Sequence, residues 1–159
     1  MLLNESYSFG DVRYAINSRI SYDVELTFTI FPEKVRLEAG TVLVRLDFPV
    51  IFGLFMKAWW MKLSVMQMML DRSNSRAVAL RMEWQHSQAL PKAGKGTRTQ
   101  IVEIELTAPV YAWVGQASPL FNKSGGAEQV YLPNLAKGAG PDRSNYARLR
   151  RTYTLPVVT

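Results

Sequence analysis

The polar pair Glu128 and Gln129 is the part of this chain best placed to do chemistry. It lies in residues 125–133, which read Gly-Gly-Ala-Glu-Gln-Val-Tyr-Leu-Pro. Two adjacent glycines adopt backbone angles that are closed to other residues, so they predict a sharp turn, and a proline ends the strand that follows. A carboxylate and an amide therefore open a short strand, where both can form hydrogen bonds with a substrate.

Alternation along this strand separates the two polar residues. Consecutive strand side chains point to opposite sides, so Gln129 shares a side with Ala127 and Tyr131, and Glu128 shares the other side with apolar residues. The side with Gln129 combines an amide, a small residue and a phenol. We predict that it forms the wall of a cleft, and an ordinary strand in a β-rich domain is the alternative.

The second half of the chain resembles the ADP-ribosyltransferase-like toxin domains of bacteria, in particular their NAD glycohydrolase branch. Members of that branch have a Gly-Gly-x-x-Gln/Glu-apolar-x-x-Pro strand after a Trp-x-Gly segment. The matching residues here are Trp113, Gly115, Gly125, Gly126, Gln129 and Pro133. The resemblance implies an NAD-consuming toxin or effector whose substrate is NAD and which needs no metal.

The same resemblance implies which residues form the site. Arg45 matches an arginine of the first core strand that holds the dinucleotide, and Trp59 and Trp60 match an aromatic segment that lines the pocket. The expected catalytic residues are Gln129, Glu128 and Arg45. The expected NAD-binding residues are Arg45, Trp59, Trp60, Gly115, Gln116 and Tyr131.

The residue types suit cleavage of the bond between nicotinamide and ribose. Positive charge develops on the ribose as nicotinamide leaves, so the site needs a cation for the pyrophosphate, aromatic surfaces, and a polar side chain for the ribose hydroxyls and water. Arginine-modifying transferases of this class have Glu-x-Glu where this chain has Ala127-Glu128-Gln129, so hydrolysis is favoured. A shift of one residue in register would place Glu128 in the cleft and reopen transfer to an acceptor.

Several strands and a helix are predicted to position these residues. Alternating apolar residues predict a strand over 22–31, and β-branched residues after Gly40 predict a strand over 41–48 that carries Arg45. The apolar stretch 50–70 is expected to cover the core, since Lys57 and Lys62 interrupt it and exclude a membrane span. The polar capping residues of 71–75 predict the start of a helix that runs through 76–84.

The remaining pattern also favours strands. Alternation predicts a strand over 100–106 and another over 110–114, on either side of Pro109. Glu103 and Glu105 of the first strand are expected to form a solvated stripe rather than a catalytic pair. The arginines of 146–151 are expected to keep the chain end soluble, with acidic groups or RNA as alternative contacts.

Composition limits the chemistry. The chain has 159 residues, 48% of them hydrophobic, which fits a single domain over 1–159 with its own core. It has no cysteine, so thiolate chemistry is excluded, and its one histidine, His86, lies in no metal or triad motif. A net charge of +6 permits an anionic dinucleotide, nucleic acid, an acidic membrane surface or an acidic protein as partner.

We therefore predict an α+β fold, an ADP-ribosyltransferase-like split and mostly antiparallel sheet with flanking helices, acting as an NAD glycohydrolase. The resemblance implies a cognate immunity protein or delivery protein as partner. It also implies synthesis in the bacterial cytoplasm and delivery into a target cell by a specialised route, and the first residues lack the pattern of a signal peptide. The alternatives are an ADP-ribosyltransferase acting on protein or nucleic acid, and a non-enzymatic basic module that binds RNA or assembles with other proteins.

Overall fold

The computed structural model describes residues 1–17, 20–47, 58–72, 99–118, 126–135 and 145–155. The helices in these ranges are α1 (Phe9–Val12), a 3-10 helix (Val24–Thr27) and α2 (Leu63–Arg72). The strands are β1 (Tyr14–Asn17), β2 (Ile20–Asp23), β3 (Glu33–Leu37), β4 (Val42–Asp47), β5 (Trp59–Lys62), β6 (Thr99–Leu106), β7 (Val110–Gln116), β8 (Glu128–Tyr131) and β9 (Ala147–Leu155).

The described part of the chain is built on one antiparallel sheet. Seven strands lie in the order β3-β7-β8-β5-β4-β6-β9, and each neighbouring pair is antiparallel. A separate hairpin pairs β1 with β2. The prediction of an α+β fold with a mostly antiparallel sheet is therefore confirmed at this level.

Strand β4 lies near the middle of the sheet and is packed on both sides. Gly40 has a φ of +89°, which glycine adopts without strain, and the predicted strand begins two residues later. Leu43 and Val44 point to opposite sides, and both are fully buried in separate apolar clusters. Arg45 thus projects from a strand whose apolar neighbours fix its direction.

Helix α2 covers the Val44 side of the sheet. Val65, Met66 and Met69 share one side of the helix and pack with Val44, Met61 and Ile101. The prediction that this apolar stretch covers the core from one side is confirmed for Leu63 to Leu70, whereas Trp59–Lys62 forms a strand within the sheet. No helix among the described residues is long and apolar enough to cross a membrane.

A described helix ends where the sequence predicted a helix start. Asp71 and Arg72 are the last residues of α2, and the apolar periodicity that forms this helix lies upstream of them, from Leu63 to Leu70. Residues 73–84, which hold the rest of the predicted start and the predicted helix, lie outside the described residues.

The predicted strand over 22–31 is also wrong beyond Asp23. Its carboxylate accepts a hydrogen bond from the Glu25 backbone N–H at 3.0 Å and begins the 3-10 helix, where the Thr27 hydroxyl donates to the Val24 carbonyl at 2.6 Å. Arg13 forms ion pairs with Asp23 and Glu25 and holds the pKa of the Asp23 carboxyl below its usual range. Local side-chain hydrogen bonds therefore outweigh the alternating pattern here.

Strands β6 and β7 confirm the prediction of strands over 100–106 and 110–114, but the solvated stripe is wrong for Glu103. This carboxylate is fully buried, and Arg150 and Arg151 of β9 donate to it. The alternating pattern did not reveal that β9 lies beside β6 and supplies these charges. The predictions for residues 48–57, 73–98, Gly125 and 136–143 lie outside the described residues.

Candidate functional site

The strand register divides the eight predicted site residues between the two sides of the sheet. Residues paired across antiparallel strands point to the same side. Trp60 pairs with Val130, whose side Glu128 shares, and Glu128 pairs with Gln116. The guanidinium of Arg45 lies 5.5 Å from the centre of the Trp60 ring. These four residues define the Arg45 face: Arg45, Trp60, Gln116 and Glu128.

The other four predicted residues lie on the opposite side. Tyr131 pairs with Trp59, and Gln129 pairs with Gly115. These four residues define the Gln129 face: Trp59, Gly115, Gln129 and Tyr131. The sequence had led us to expect Gln129 and Arg45 together in one pocket. The structure instead places them on opposite sides of the sheet.

Gln129 is covered by the 3-10 helix. It is 3% exposed, and its side-chain nitrogen donates to the Thr27 carbonyl at 2.7 Å and lies 3.4 Å from the Thr27 hydroxyl. The wall of an open cleft that we predicted on this side is closed here by the N-terminal segment. The amide joins β8 to that segment, and this accounts for a polar residue in the interior.

Tyr131 and Trp59 belong to the same aromatic cluster. The Tyr131 hydroxyl donates to the Val12 carbonyl at 2.8 Å, and the Tyr131 ring centre lies 4.9 Å from that of Trp59. Trp59 also contacts Phe28, with ring centres 5.8 Å apart. The two rings therefore pack β5 and β8 against α1 and the 3-10 helix.

Replacement of Tyr131 with phenylalanine should lower the free energy of unfolding by about 1–2 kcal/mol, because the buried Val12 carbonyl loses its donor. Urea denaturation would measure the change. Tyr14→Phe is the matched control, since Tyr14 is largely exposed, and it should change stability by less than about 0.5 kcal/mol. Equal effects of the two substitutions would contradict a structural role for the Tyr131 hydroxyl.

Gly115 has a packing role in this structure. A Cβ atom at this position would lie 2.9 Å from a ring carbon of Phe28 and 3.6 Å from the Cα of Pro32. The glycine of the Trp-x-Gly segment thus lets the chain after the 3-10 helix approach β7 closely. This approach is part of what covers the Gln129 face.

Arg45 is held at the centre of the opposite side. One of its terminal nitrogens, Nη1, donates to the Trp59 carbonyl at 3.4 Å, and its guanidinium lies over the Trp60 ring. The stacking on Trp60 leaves a delocalised cation in a fixed orientation. Such a group suits the oxygens of a phosphate.

Glu128 is the carboxylate on the Arg45 face. Its Oε1 lies 3.1 Å from Nζ of Lys62, and both side chains are 39% exposed. Gln116, which is exposed, pairs with Glu128 on the neighbouring strand. An amide, a carboxylate and an ammonium therefore lie in a row across β7, β8 and β5.

Lys62 is a site residue that sequence reasoning missed. It interrupts the apolar stretch two residues after Trp60, and on a strand that spacing places both residues on one side. Because the sequence analysis predicted no strand over Trp59–Lys62, it did not place Lys62 on the same side as Trp60. Lys62 also pairs with Leu43 of β4, which lies two residues from Arg45.

The Arg45 face thus combines the groups needed to bind an anionic, hydroxyl-bearing ligand. Arg45 and Lys62 supply positive charge, Glu128 supplies a partly exposed carboxylate, and Gln116 supplies an amide. No group of three or more histidine or acidic side chains able to hold a metal occurs among the described residues.

Comparison with known proteins finds a likeness in fold. No sequence family and no curated protein matches the chain. Among solved structures, Rhs1-CT, determined in complex with its cognate immunity protein RhsI1, is similar with a TM-score of 0.52 and 16% identity. The match covers 78% of this chain and 81% of that chain. At this identity, the likeness shows that the two chains share a fold.

Proposed function

We propose that this chain is a bacterial toxin domain that cleaves the bond between nicotinamide and ribose in NAD. The observation that carries the proposal is the partly exposed Glu128 carboxylate beside Lys62, on the same side of the sheet as Arg45 and Trp60. Glu128 takes the role that the sequence had suggested for Gln129. Arg45, Trp60, Gln116 and Glu128 are the residues expected from the resemblance that lie on this face, whereas Trp59, Gly115 and Tyr131 lie on the Gln129 face.

The likeness to Rhs1-CT supports the toxin part of the proposal. An immunity protein protects the cell that produces a toxin from that toxin. By analogy, this chain acts in the cytoplasm of a target cell after delivery, and an immunity protein neutralises it. The fold likeness leaves the chemistry open, so the activity is argued from the site.

The sheet geometry supports an ADP-ribosyltransferase-like split. Strand β4 pairs with β6 from Val42 to Asp47, whereas its described pairing with β5 covers Leu43 and Val44. The described junction between the two parts of the sheet is therefore two residue pairs long. Arg45 and Trp60 lie next to this junction, where a divergence would open a cleft.

The proposed reaction follows from the charges on the Arg45 face. The C–N bond breaks and nicotinamide leaves as a neutral molecule with the bonding electrons, so the ribose carbon becomes cationic. The Glu128 carboxylate stabilises that charge and orients a water, whose oxygen bonds to the ribose carbon as its proton is released. Arg45 and Lys62 neutralise the pyrophosphate, and Gln116 binds a hydroxyl. The products are ADP-ribose, nicotinamide and a proton.

Transfer of ADP-ribose to a protein or nucleic acid is the second candidate. The observation that favours it is again Glu128, because a carboxylate can activate an acceptor as well as water. The sequence favoured hydrolysis because Ala127 replaces the first carboxylate of the Glu-x-Glu found in arginine-modifying transferases, and it left transfer to another acceptor open if Glu128 lined the site. Glu128 lies on the Arg45 face, so transfer to such an acceptor remains the second candidate.

Incubation of the protein with NAD labelled in the adenine half tests both reactions. Release of free nicotinamide with the label in free ADP-ribose supports hydrolysis, and label on a macromolecule supports transfer. No release above the level of Glu128→Ala would contradict both. Salt-dependent binding to RNA with NAD left intact would instead support the non-enzymatic basic module.

A further inference from the structure

Strand β9 carries a cluster of arginines on the last strand of the described sheet. It pairs with β6 along its length, and no second described strand pairs with it. Arg148, Arg150 and Arg151 are all exposed, and we call them the β9 arginine patch. None of them belongs to the Arg45 face.

A β-bulge sets the direction of these side chains. Arg151 pairs with Glu103 and Leu149 pairs with Ile104, so Arg150 is an extra residue in β9 with no counterpart in β6. The extra residue changes the alternation, and Arg148 and Arg151 consequently both face the two glutamates of β6. Without the bulge, residues three apart would point to opposite sides.

Each arginine of the patch contacts a glutamate of the neighbouring strand β6. Arg151 donates through Nε and Nη2 to the two oxygens of buried Glu103, each at 2.9 Å, and Arg150 donates to the same carboxylate at 3.4 Å. Arg148 forms an ion pair with Glu105. The Arg151 guanidinium also lies 4.5 Å from the centre of the Tyr153 ring.

These contacts orient the guanidiniums without covering them. The side chains of Arg148, Arg150 and Arg151 remain 70%, 46% and 59% exposed. An arginine has five N–H donors, so the donors used on Glu103 and Glu105 leave others directed outward. Because the side chains are already ordered, a partner loses less conformational entropy when it binds them.

We propose that the β9 arginine patch docks a protein partner through an extended segment that carries acidic side chains. Addition of such a segment to the outer edge of β9 would join main-chain hydrogen bonds to ion pairs with the patch. The same arginines disfavour pairing with a second copy of β9, since like charges would meet. This proposal is independent of the proposed reaction.

Leu149 favours a protein over a nucleic acid. It is exposed and pairs with Ile104, so it points to the other side of the sheet from Arg148 and Arg151. An extended peptide alternates its side chains, so one added strand could contact the arginines on one side and Leu149 on the other. Arginine with neighbouring apolar surface is typical of protein interfaces.

A short capped peptide of alternating glutamate and threonine is the probe, titrated against the full chain by fluorescence anisotropy. The variant carries both Arg148→Ala and Arg150→Ala, and it keeps Arg151 on buried Glu103 so that the fold survives. Its affinity for the peptide should fall by about tenfold. Arg36→Ala, which breaks the exposed ion pair of Arg36 with Glu38 on the opposite edge strand β3, should change the affinity by less than about twofold.

Three outcomes would overturn the proposal. The first is absence of binding by the wild-type chain, and the second is an equal loss in the two variants. The third is tighter binding of duplex DNA of similar charge through the same two arginines. Binding that also requires the glutamates of the peptide, and protection of β9 amides from hydrogen exchange in the complex, would support it.

Discussion

Replacement of Glu128 with alanine should lower the rate of nicotinamide release from NAD by about a hundredfold to a thousandfold. The carboxylate lies 3.1 Å from Lys62 on the Arg45 face, where it can stabilise charge on the ribose as nicotinamide leaves. Stability should change little, because the side chain is 39% exposed and its ion pair is a surface pair. The measurement is initial-rate release of nicotinamide by purified protein at matched concentration.

The matched control for this prediction is Glu38→Ala. Glu38 is also an exposed acid in an ion pair, with Arg36 at 2.9 Å, so the two substitutions remove the same charge from similar surroundings. Release by the Glu38 variant should equal that of the wild type. Equal rates for the Glu128 variant and the wild type would remove Glu128 from the proposed site.

Gln129→Ala tests whether Glu128 or Gln129 lies in the reactive site, a choice that the sequence left open. The buried amide donates to the Thr27 carbonyl, so its loss should destabilise the fold by about 1–2 kcal/mol and should spare activity below the unfolding transition. If instead the Gln129 variant is folded and inactive while the Glu128 variant is active, the reaction belongs to the Gln129 face. The N-terminal segment would then have to move to admit NAD.

The strands near the site could be predicted because their own residues determine them. β4 follows Gly40 and has β-branched residues, and β8 lies between Gly126, whose φ is +95°, and Pro133. Alternation also placed Glu128 and Gln129 on opposite sides correctly, since that separation is a local property of any strand. Local pattern was sufficient for these features.

The burial of the polar residues on each side of the sheet depends on contacts distant in the sequence. Gln129 is covered by Thr27 of the 3-10 helix, and that helix forms where alternation predicted a strand. Glu103 is buried by arginines of β9, nearly fifty positions later. Neither contact leaves a periodic signal, so an amide that seemed to line a cleft is interior and a stripe that seemed solvated is partly buried.

Trp59 and Trp60 illustrate the same limit. We treated them as one aromatic wall, but they are consecutive residues of β5 and therefore point to opposite sides of the sheet. Trp60 is 2% exposed and packs in the apolar cluster that includes Leu43 and Val130. Arg45 rests on that ring, so the tryptophan that bears on the proposed site is also a core residue.

Replacement of Trp60 with alanine should therefore lower the free energy of unfolding by about 3–5 kcal/mol, the loss expected for a buried aromatic side chain. Urea denaturation would measure it. Trp59→Ala should cost less, because Trp59 is only half buried and loses contacts mainly with Tyr131 and Phe28. A midpoint for the Trp60 variant equal to that of the wild type would contradict the burial of this ring.

The conservative variant Trp60→Phe separates the stability of the core from the orientation of Arg45. Phenylalanine keeps most of the buried apolar surface, so the fold should persist, but the smaller ring presents a weaker cation–π surface to the guanidinium. If Arg45 must be held in place to bind the pyrophosphate, the KM for NAD should rise while the rate at saturation changes less. An unchanged KM in a folded Trp60→Phe variant would mean that the ring supports the sheet and has no part in aligning the arginine.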